Sequence, residues 1–254
     1  MKKQNKNWFA TWFDSPYYHV LYKNRDYKEA EFFITNLVNF LQPKKEDKIL
    51  DLACGAGRHS IFLNGLGYQV TGVDLAANSI EEANKSKNKT LNFDVHDMRE
   101  VYRENEFNFI FNLFTSFGYF ESDADNIKML QSVEKSLKPN GIFVLDFFNA
   151  KKVIANLVKT ETKIVDGTTF HLKREVKNGH IIKHIDFKSD NKPYSYFEKV
   201  QAVHLEDFKR LFSNTNMEII HTFGNFKLEK FEEEKSNRLI LVVRKKRLSS
   251  ESKI

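Results

Sequence analysis

The 254-residue chain has one cysteine, Cys54. A lone cysteine excludes an intramolecular disulfide and gives no sign of a metal site. Proline (4) and glycine (10) are scarce, so no Pro- or Gly-rich linker marks a domain boundary, and no internal repeat is visible. No stretch approaches the ~20 apolar residues of a membrane span. The opening "MKKQNKNWFATWF" has no apolar run long enough for a signal peptide, so a soluble cytoplasmic protein is expected. The net charge of +6 is not spread over the chain. It is accounted for by Lys2, Lys3 and Lys6 at one end and by Arg244, Lys245, Lys246, Arg247 and Lys253 against Glu251 at the other. The body between is close to neutral, which argues against a nucleic-acid-binding face there, although basic tails can bind RNA.

What is abundant is phenylalanine, with 24 residues in a chain that is 41% hydrophobic. That suffices for the core of one large domain, or a domain with an inserted subdomain. Residues 26–41 space their apolar side chains as a helix, with Pro43 after its end. Short strands are expected at 48–53, 68–74, 91–98, 107–114 and 142–149. Helices are expected at 58–66, at 78–87 with a Ser79–Glu82 capping box, and at 123–141 ending on Pro139-Asn140-Gly141. Strands alternating with helices imply a parallel sheet covered on both faces.

The pattern changes after residue 160. Asn178-Gly179 reads as a type I′ hairpin turn. It sets Lys177 opposite His180, and pairs Val176 with Ile181, Leu172 with Ile185 and Phe170 with Phe187 on one face. The other face pairs His171 with Asp186 and Lys173 with His184. Residues 193–203 extend this meander, 204–215 form a helix, and "MEIIHTFG" and "RLILVVRKK" close the chain as strands.

The chemistry concentrates at "ILDLACGAGRHS", residues 49–60. Gly55 and Gly57 let the backbone turn sharply and approach a ligand, and the helix that follows points its N–H groups into the same cleft. Three acids stand at three successive strand ends. Asp51 precedes the turn, Asp74 is placed to accept both hydroxyls of a ribose, and Asp97 to accept an exocyclic adenine amine while Met98 covers the ring. Ser60 occupies the position where a dinucleotide fingerprint has its third glycine. Asp51 would set negative charge beside a diphosphate and suits a cationic, amino-acid-bearing nucleoside better.

"ILDLACGAGRHS", "VTGVDLAANSIEEA" and "FDVHDM" resemble the first three motifs of class I S-adenosylmethionine-dependent methyltransferases. "FNFIFNLFTSFGYF" and "LKPNGIFVLDFFN" resemble the fourth and fifth strand segments, and the likeness resumes in "HLEDFKRLFSNTNMEII" and "RLILVVRKK". The resemblance implies an α/β fold, a Rossmann-like three-layer sandwich. Its sheet is mostly parallel and seven-stranded, with the last strand antiparallel, and here carries an inserted antiparallel β lid. One domain over 1–254 is expected, with its core at 26–159 and 204–246, the lid at about 160–203, and basic tails at 1–7 and 247–254. The cofactor implied is S-adenosyl-L-methionine. Asp51, Ala53, Gly55 and Gly57 would line its methionine end, Asp74 and Leu75 its ribose, and Asp97 and Met98 its adenine, with the backbone at Phe114 closing the site near the sulfonium. Arg25 and Arg58 are candidates to pair with the methionine carboxylate. No metal is implied.

The acceptor is less legible. There is no Asn-Pro-Pro-Tyr after the fourth strand and no cysteine pair, which lowers a nucleic-acid substrate without excluding it. An N-terminal aromatic segment containing Trp8, Trp12, Phe13, Tyr17, Tyr18 and Tyr22 is a candidate lid, with Tyr18 or Tyr22 bordering the methyl group or the methionine carboxylate as in similar small-molecule enzymes. His171 with Asp186, and His184, are candidates for a general base. A small-molecule N- or O-methyltransferase is the reading. An RNA or protein methyltransferase, a non-catalytic S-adenosylmethionine-binding module and an NAD-binding oxidoreductase stand beside it.

Overall fold

The computed structural model describes residues 8–23 and 27–247. Two short helices, α1 (Trp8–Phe13) and α2 (Pro16–Leu21), lead into α3 (Tyr27–Leu41). Alternating elements follow: β1 (Lys48–Leu52), α4 (Arg58–Gly65), β2 (Gln69–Asp74), α5 (Ala77–Asn84), β3 (Leu91–Val95), β4 (Phe107–Asn112), α6 (Asp123–Ser136) and β5 (Leu137–Phe148). After α7 (Ala150–Ala155) the chain forms β6 (Thr160–Val165), β7 (Thr168–Lys177), β8 (His180–Ser189) and β9 (Lys192–Gln201). It ends with α8 (Leu205–Phe212), β10 (Met217–Phe223) and β11 (Arg238–Lys245).

The main sheet has the strand order β10-β11-β5-β4-β1-β2-β3. Pairing is parallel from β5 to β3, and β11 runs antiparallel to both β5 and β10. Side chains alternate across a strand, so a sheet covered on both faces needs apolar residues at every position. β11 meets that demand: Leu239, Leu241 and Val243 enter the core shared with α6 and α8, while Ile240 and Val242 enter the one shared with α3, α4 and α5. β1 divides likewise, Leu50 to one side and Ile49 to the other. Each such side chain, buried to within a few per cent, contributes on the order of 1.5–3 kcal/mol.

The second sheet has the order β6-β7-β8-β9. Its β7–β8 register is the one the Asn178-Gly179 turn implies, from Lys177 opposite His180 to Phe170 opposite Phe187. Phe170, Leu172, Ile185 and Phe187 pack into the same core as Trp8, Trp12 and Leu21, so this sheet and the N-terminal helices form one apolar assembly over an end of the main sheet.

Three expectations need correction, and one strand is added. α6 stops at Ser136 rather than 141, because the pyrrolidine of Pro139 disfavours helix before it and Leu137 already pairs with Phe107 of β4. The Ser79–Glu82 capping box does not form. α5 starts at Ala77, one residue earlier than expected, Ser79 is buried, and the Asn78 N–H is met at 2.9 Å by the carboxylate of Asp14. β3 ends at Val95, which leaves Asp97 and Met98 in the following loop. β6, turned onto β7 through Asp166-Gly167 with φ 47° and 77°, is a strand not resolved by the alternation pattern.

Candidate active site

Between β1 and α4 the chain passes through three left-handed residues, Ala53, Gly55 and Gly57, at φ 63°, 56° and 82°. The turn is pinned by Cys54 N–H to the Val73 carbonyl and by Gly57 N–H to the Cys54 carbonyl, each at 3.0 Å. Ala53 holds this conformation at a cost of about 1–2 kcal/mol. The two glycines serve different ends. A Cβ on Gly55 would meet nothing within 4 Å, and Gly55 faces the open space of the cavity described next. A Cβ on Gly57 would lie 2.7 Å from the Phe93 ring, so Gly57 serves the packing of α4. It does not line the cavity, contrary to the expectation from the motif.

That cavity, of about 400 Å³, sits at the carboxyl ends of the parallel strands, where ligands of open α/β sheets bind. Its walls are the glycine turn, the end of β2, the loop after β3, the Leu113–Ser116 loop after β4, and the N-terminal helices. Ala53, Gly55, Arg58, Asp74, Leu75, Asp97, Met98 and Phe114 are brought together here, with Tyr18 and Tyr22 opposite them. Asp51 lies just beneath, 1% exposed, accepting the Ser60 hydroxyl at 2.6 Å. Burial pushes its carboxyl up to about 6 against the Ser60 hydrogen bond, and the nearby Asp74 adds to the shift. Burial, with the two carboxylates, also raises the Cys54 thiol well above its ordinary value, so the thiol stays protonated and fills the turn.

Asp74 is less open than its place at a strand end suggests. One oxygen accepts Gly55 N–H at 2.7 Å and the other Ala76 N–H at 2.8 Å. The carboxylate thus ties the glycine turn to the start of α5, and burial still raises its pKa over these bonds. Asp97 is engaged by Arg99 through Nη2 to Oδ2 at 2.6 Å and Nε to Oδ1 at 3.1 Å. Burial pushes the Asp97 carboxyl up, but Arg99 more than offsets this and holds it below the usual range.

The N-terminal helices close the cavity and are fastened to the second sheet. Glu198 of β9 accepts Trp12 Nε1–H at 2.8 Å and the Tyr22 hydroxyl at 2.6 Å. Lys183, opposite Glu198 in the β8–β9 register, donates to the Tyr22 oxygen and lies 3.4 Å from Glu198. Burial and Glu198 raise the Tyr22 phenol well above its ordinary value, so the proton stays on the Tyr22 oxygen, which donates to Glu198. The choice between Tyr18 and Tyr22 is thereby sharpened: the Tyr22 hydroxyl is committed to the sheet. Tyr18 stands between Phe13 and Tyr22, at centroid separations of 5.1 and 4.9 Å.

His171 and His184 fall elsewhere. They occupy the face of the second sheet opposite its apolar one, and neither lines the cavity. His171 stands opposite Asp186 in the β7–β8 register, as expected, but its ring contacts Thr162 at 3.4 Å, and His184 reaches Glu175 at 3.4 Å. Arg25 and the tails 1–7 and 248–254 lie outside the described residues. The structure adds His19, His59, His96 and Tyr119 to the wall. His59 had a readable signal, since it follows Arg58 at the head of α4. There it stacks on Phe114 at 5.0 Å, while the Arg58 guanidinium lies 4.4 Å from the same ring.

Two carboxylates raised by burial at the base of one cavity favour a ligand that brings positive charge and hydroxyl donors. A diphosphate would add negative charge beside both. The donor set therefore fits S-adenosylmethionine, whose ammonium and sulfonium are cationic and whose ribose donates hydroxyls.

Residues 43–216 match a family described as a methyltransferase domain. The chain is 34% identical over 112 residues to the Bacillus subtilis (strain 168) protein YqeM, which carries a methyltransferase name; that match covers 43% of this chain and 45% of YqeM. It is 26% identical over 220 residues to a glycine/sarcosine N-methyltransferase of Aphanothece halophytica, covering 80% and 76% of the two. Among solved structures, an S-adenosylmethionine-dependent methyltransferase from Clostridium acetobutylicum ATCC 824 superimposes with a TM-score of 0.76 at 20% identity, over 94% of this chain and 98% of that one.

Proposed function

Because this chain belongs to the class I S-adenosylmethionine-dependent methyltransferases, we propose that it methylates an amine of a small molecule. The observation that carries the acceptor's size is the closed form of the site. A cavity of about 400 Å³ is walled in part by Phe9, Phe13, Tyr18, Tyr22 and Tyr119, and the body of the chain between its basic ends is near neutral. The choice of nitrogen is supported by the glycine/sarcosine N-methyltransferase likeness and by the aromatic wall, since ring faces attract ammonium groups.

S-adenosylmethionine supplies a methyl group already activated on sulfur, so the protein's task is to align the nucleophile in line and exclude water. In this reading Asp51 offsets the donor's positive charge from beneath the turn. Asp74 accepts ribose hydroxyls with the lone pairs its two backbone bonds leave, and Asp97 shares its oxygens between Arg99 and the adenine amine. Ala53, Gly55 and Arg58 border the methionine end, Leu75 and Met98 the nucleoside, and Tyr18 faces the acceptor. The whole chain is one domain, and the β6–β9 sheet is its lid, acting through Glu198 and Lys183 on the N-terminal helices.

Calorimetry with S-adenosylhomocysteine should give a micromolar Kd, on the order of −8 kcal/mol. Incubation with methyl-labelled donor and separate pools of small amines, RNA and protein should label the amine pool. Binding of NAD without S-adenosylhomocysteine would overturn the cofactor, and label found only in RNA or protein would overturn the acceptor.

A further inference from the structure

Two successive residues of the cavity wall, Phe114 and Thr115, have φ 56° and 62°. Both carry a bulky or branched Cβ, for which left-handed backbone is a genuine outlier. Such a conformation persists only where its surroundings over-determine it. Here the surroundings are Asp146 and Arg238. Asp146, fully buried near the end of β5, accepts Phe114 N–H on its carboxylate at 2.8 Å and Thr115 N–H on its backbone carbonyl at 3.0 Å. Arg238, the first residue of β11, grips that carboxylate with Nε to Oδ1 at 2.8 Å and Nη2 to Oδ2 at 2.9 Å. The same Nη2 donates to Thr115 Oγ1 at 2.9 Å. The ion pair therefore fixes two atoms of a two-residue turn, Phe114 N and Thr115 Oγ1, and the Asp146 backbone carbonyl fixes a third.

The consequence extends beyond the turn. A trans peptide sets its carbonyl opposite its N–H, so the bond from Thr115 N–H to Asp146 turns the Phe114 carbonyl away from β5. The Phe114 ring, oriented by the same backbone, is the platform against which Arg58 and His59 lie. Stability alone is a weak reason for the pair, since a buried ion pair is often no better than apolar residues of similar volume. Asp146 and Arg238 do not line the cavity.

We propose that Asp146 and Arg238 are positioning residues for the cofactor site: they hold Phe114 and Thr115 left-handed and, through the Phe114 ring, set Arg58 and His59 at the head of α4 for the ligand. This rests on the reading that the cavity takes S-adenosylmethionine. The test is the variant Asp146→Leu/Arg238→Met, which removes the clamp without stranding a charge, measured by S-adenosylhomocysteine calorimetry and by thermal melting. Affinity should fall about 10- to 30-fold while the melting temperature stays within a few degrees. Adding Thr115→Gly, which occupies positive φ without a Cβ penalty, should recover at least about threefold of that loss.

An affinity within twofold of wild type, or no recovery from the glycine, overturns the proposal. Should the double variant not fold, Arg238→Lys keeps a charge beside Asp146 but cannot reproduce the fork that also reaches Thr115. It should bind about 3- to 10-fold more weakly at near-native melting temperature, and an unchanged Kd overturns the clamp. Wild-type protein that binds no S-adenosylhomocysteine overturns the cofactor reading and the proposal with it, which no variant result can mimic.

Discussion

Replacing Asp51 by asparagine should stabilise the ligand-free protein at neutral pH and weaken its hold on the cofactor. Asp51 is fully buried, and its carboxyl is raised from 3.8 to about 6. A carboxyl raised on folding favours the native state fully below its unfolded pKa and loses that advantage as pH climbs through the folded value. The window is therefore pH 4 to 6, and the shift of about two units corresponds to roughly 3 kcal/mol. Asparagine imitates the protonated acid at every pH and still accepts the Ser60 hydroxyl. The difference in stability, variant minus wild type, should thus grow by up to about 3 kcal/mol between pH 4 and pH 7. For a chain of this size that is a relative gain of about 5–10 °C in melting temperature. Cofactor binding should show the mirror image. At pH 5 about nine-tenths of wild-type Asp51 is protonated, so affinity for S-adenosylhomocysteine, which keeps its ammonium, should fall about tenfold from pH 7. The asparagine variant should bind weakly at both values. Melting curves across pH 4–8, paired with calorimetry at pH 5 and 7, measure both effects. An asparagine variant that melts lower than wild type by the same amount at every pH would show that the carboxylate is already stabilised in the free protein, and the reasoning would fail.

Asp74→Asn should behave oppposite in stability, because its carboxylate already accepts two backbone N–H groups and an amide turns one acceptor into a donor facing a donor. The free protein should melt several degrees lower and S-adenosylhomocysteine should bind about 10- to 100-fold more weakly, each reflecting about 1.5–3 kcal/mol of charge-assisted hydrogen bonding; an unchanged melting temperature would show that the two backbone bonds contribute nothing. The two glycines should separate cleanly. Gly55→Ala meets no neighbour, so it should cost about 1 kcal/mol of stability through its φ but most of the cofactor affinity. Gly57→Ala, with a Cβ 2.7 Å from Phe93, should cost several kcal/mol of stability by overpacking, while the folded fraction keeps binding within a few-fold. Equal effects of the two alanines on both quantities would contradict this division.

What the sequence made legible was what chemistry fixes locally. Asn178-Gly179 sets a two-residue turn, the strand period is two, and the register of β7 on β8 follows down to Phe170 opposite Phe187. The glycine turn and the strand ends at Asp51 and Asp74 were readable for the same reason: each is an interruption in an apolar run that a buried strand does not tolerate without cause. The illegible parts are pairings across distance. Asp146 and Arg238 are 92 positions apart, and Tyr22 and Glu198 are 176 apart. Each sits in a segment whose own pattern is ordinary. The engagement of Asp97 by Arg99 lies in the loop after β3, where no strand or helix period constrains the side chains. The Ser79–Glu82 signature misled because Asp14, far away in sequence, supplies the cap instead.

These cases share a direction. The strands and helices are locally consistent, with apolar alternation, parallel pairing and capping in agreement, and several of the inconsistencies meet at one cavity. Ala53, Phe114 and Thr115 are left-handed without being glycine, and Asp51 and Asp74 are carboxylates raised by burial. Strain and buried charge placed together cost stability that the surrounding core must supply. A ligand that binds only the native state returns some of it. At a hundred times its Kd such a ligand stabilises by about 3 kcal/mol. That is close to the whole cost assigned to Asp51 above pH 6. The free protein is therefore held short of its stability optimum by the same groups that select a cationic ligand. Removing the charge at Asp51 therefore makes a sturdier protein and a poorer binder, and stability and affinity at that position should move in opposite directions.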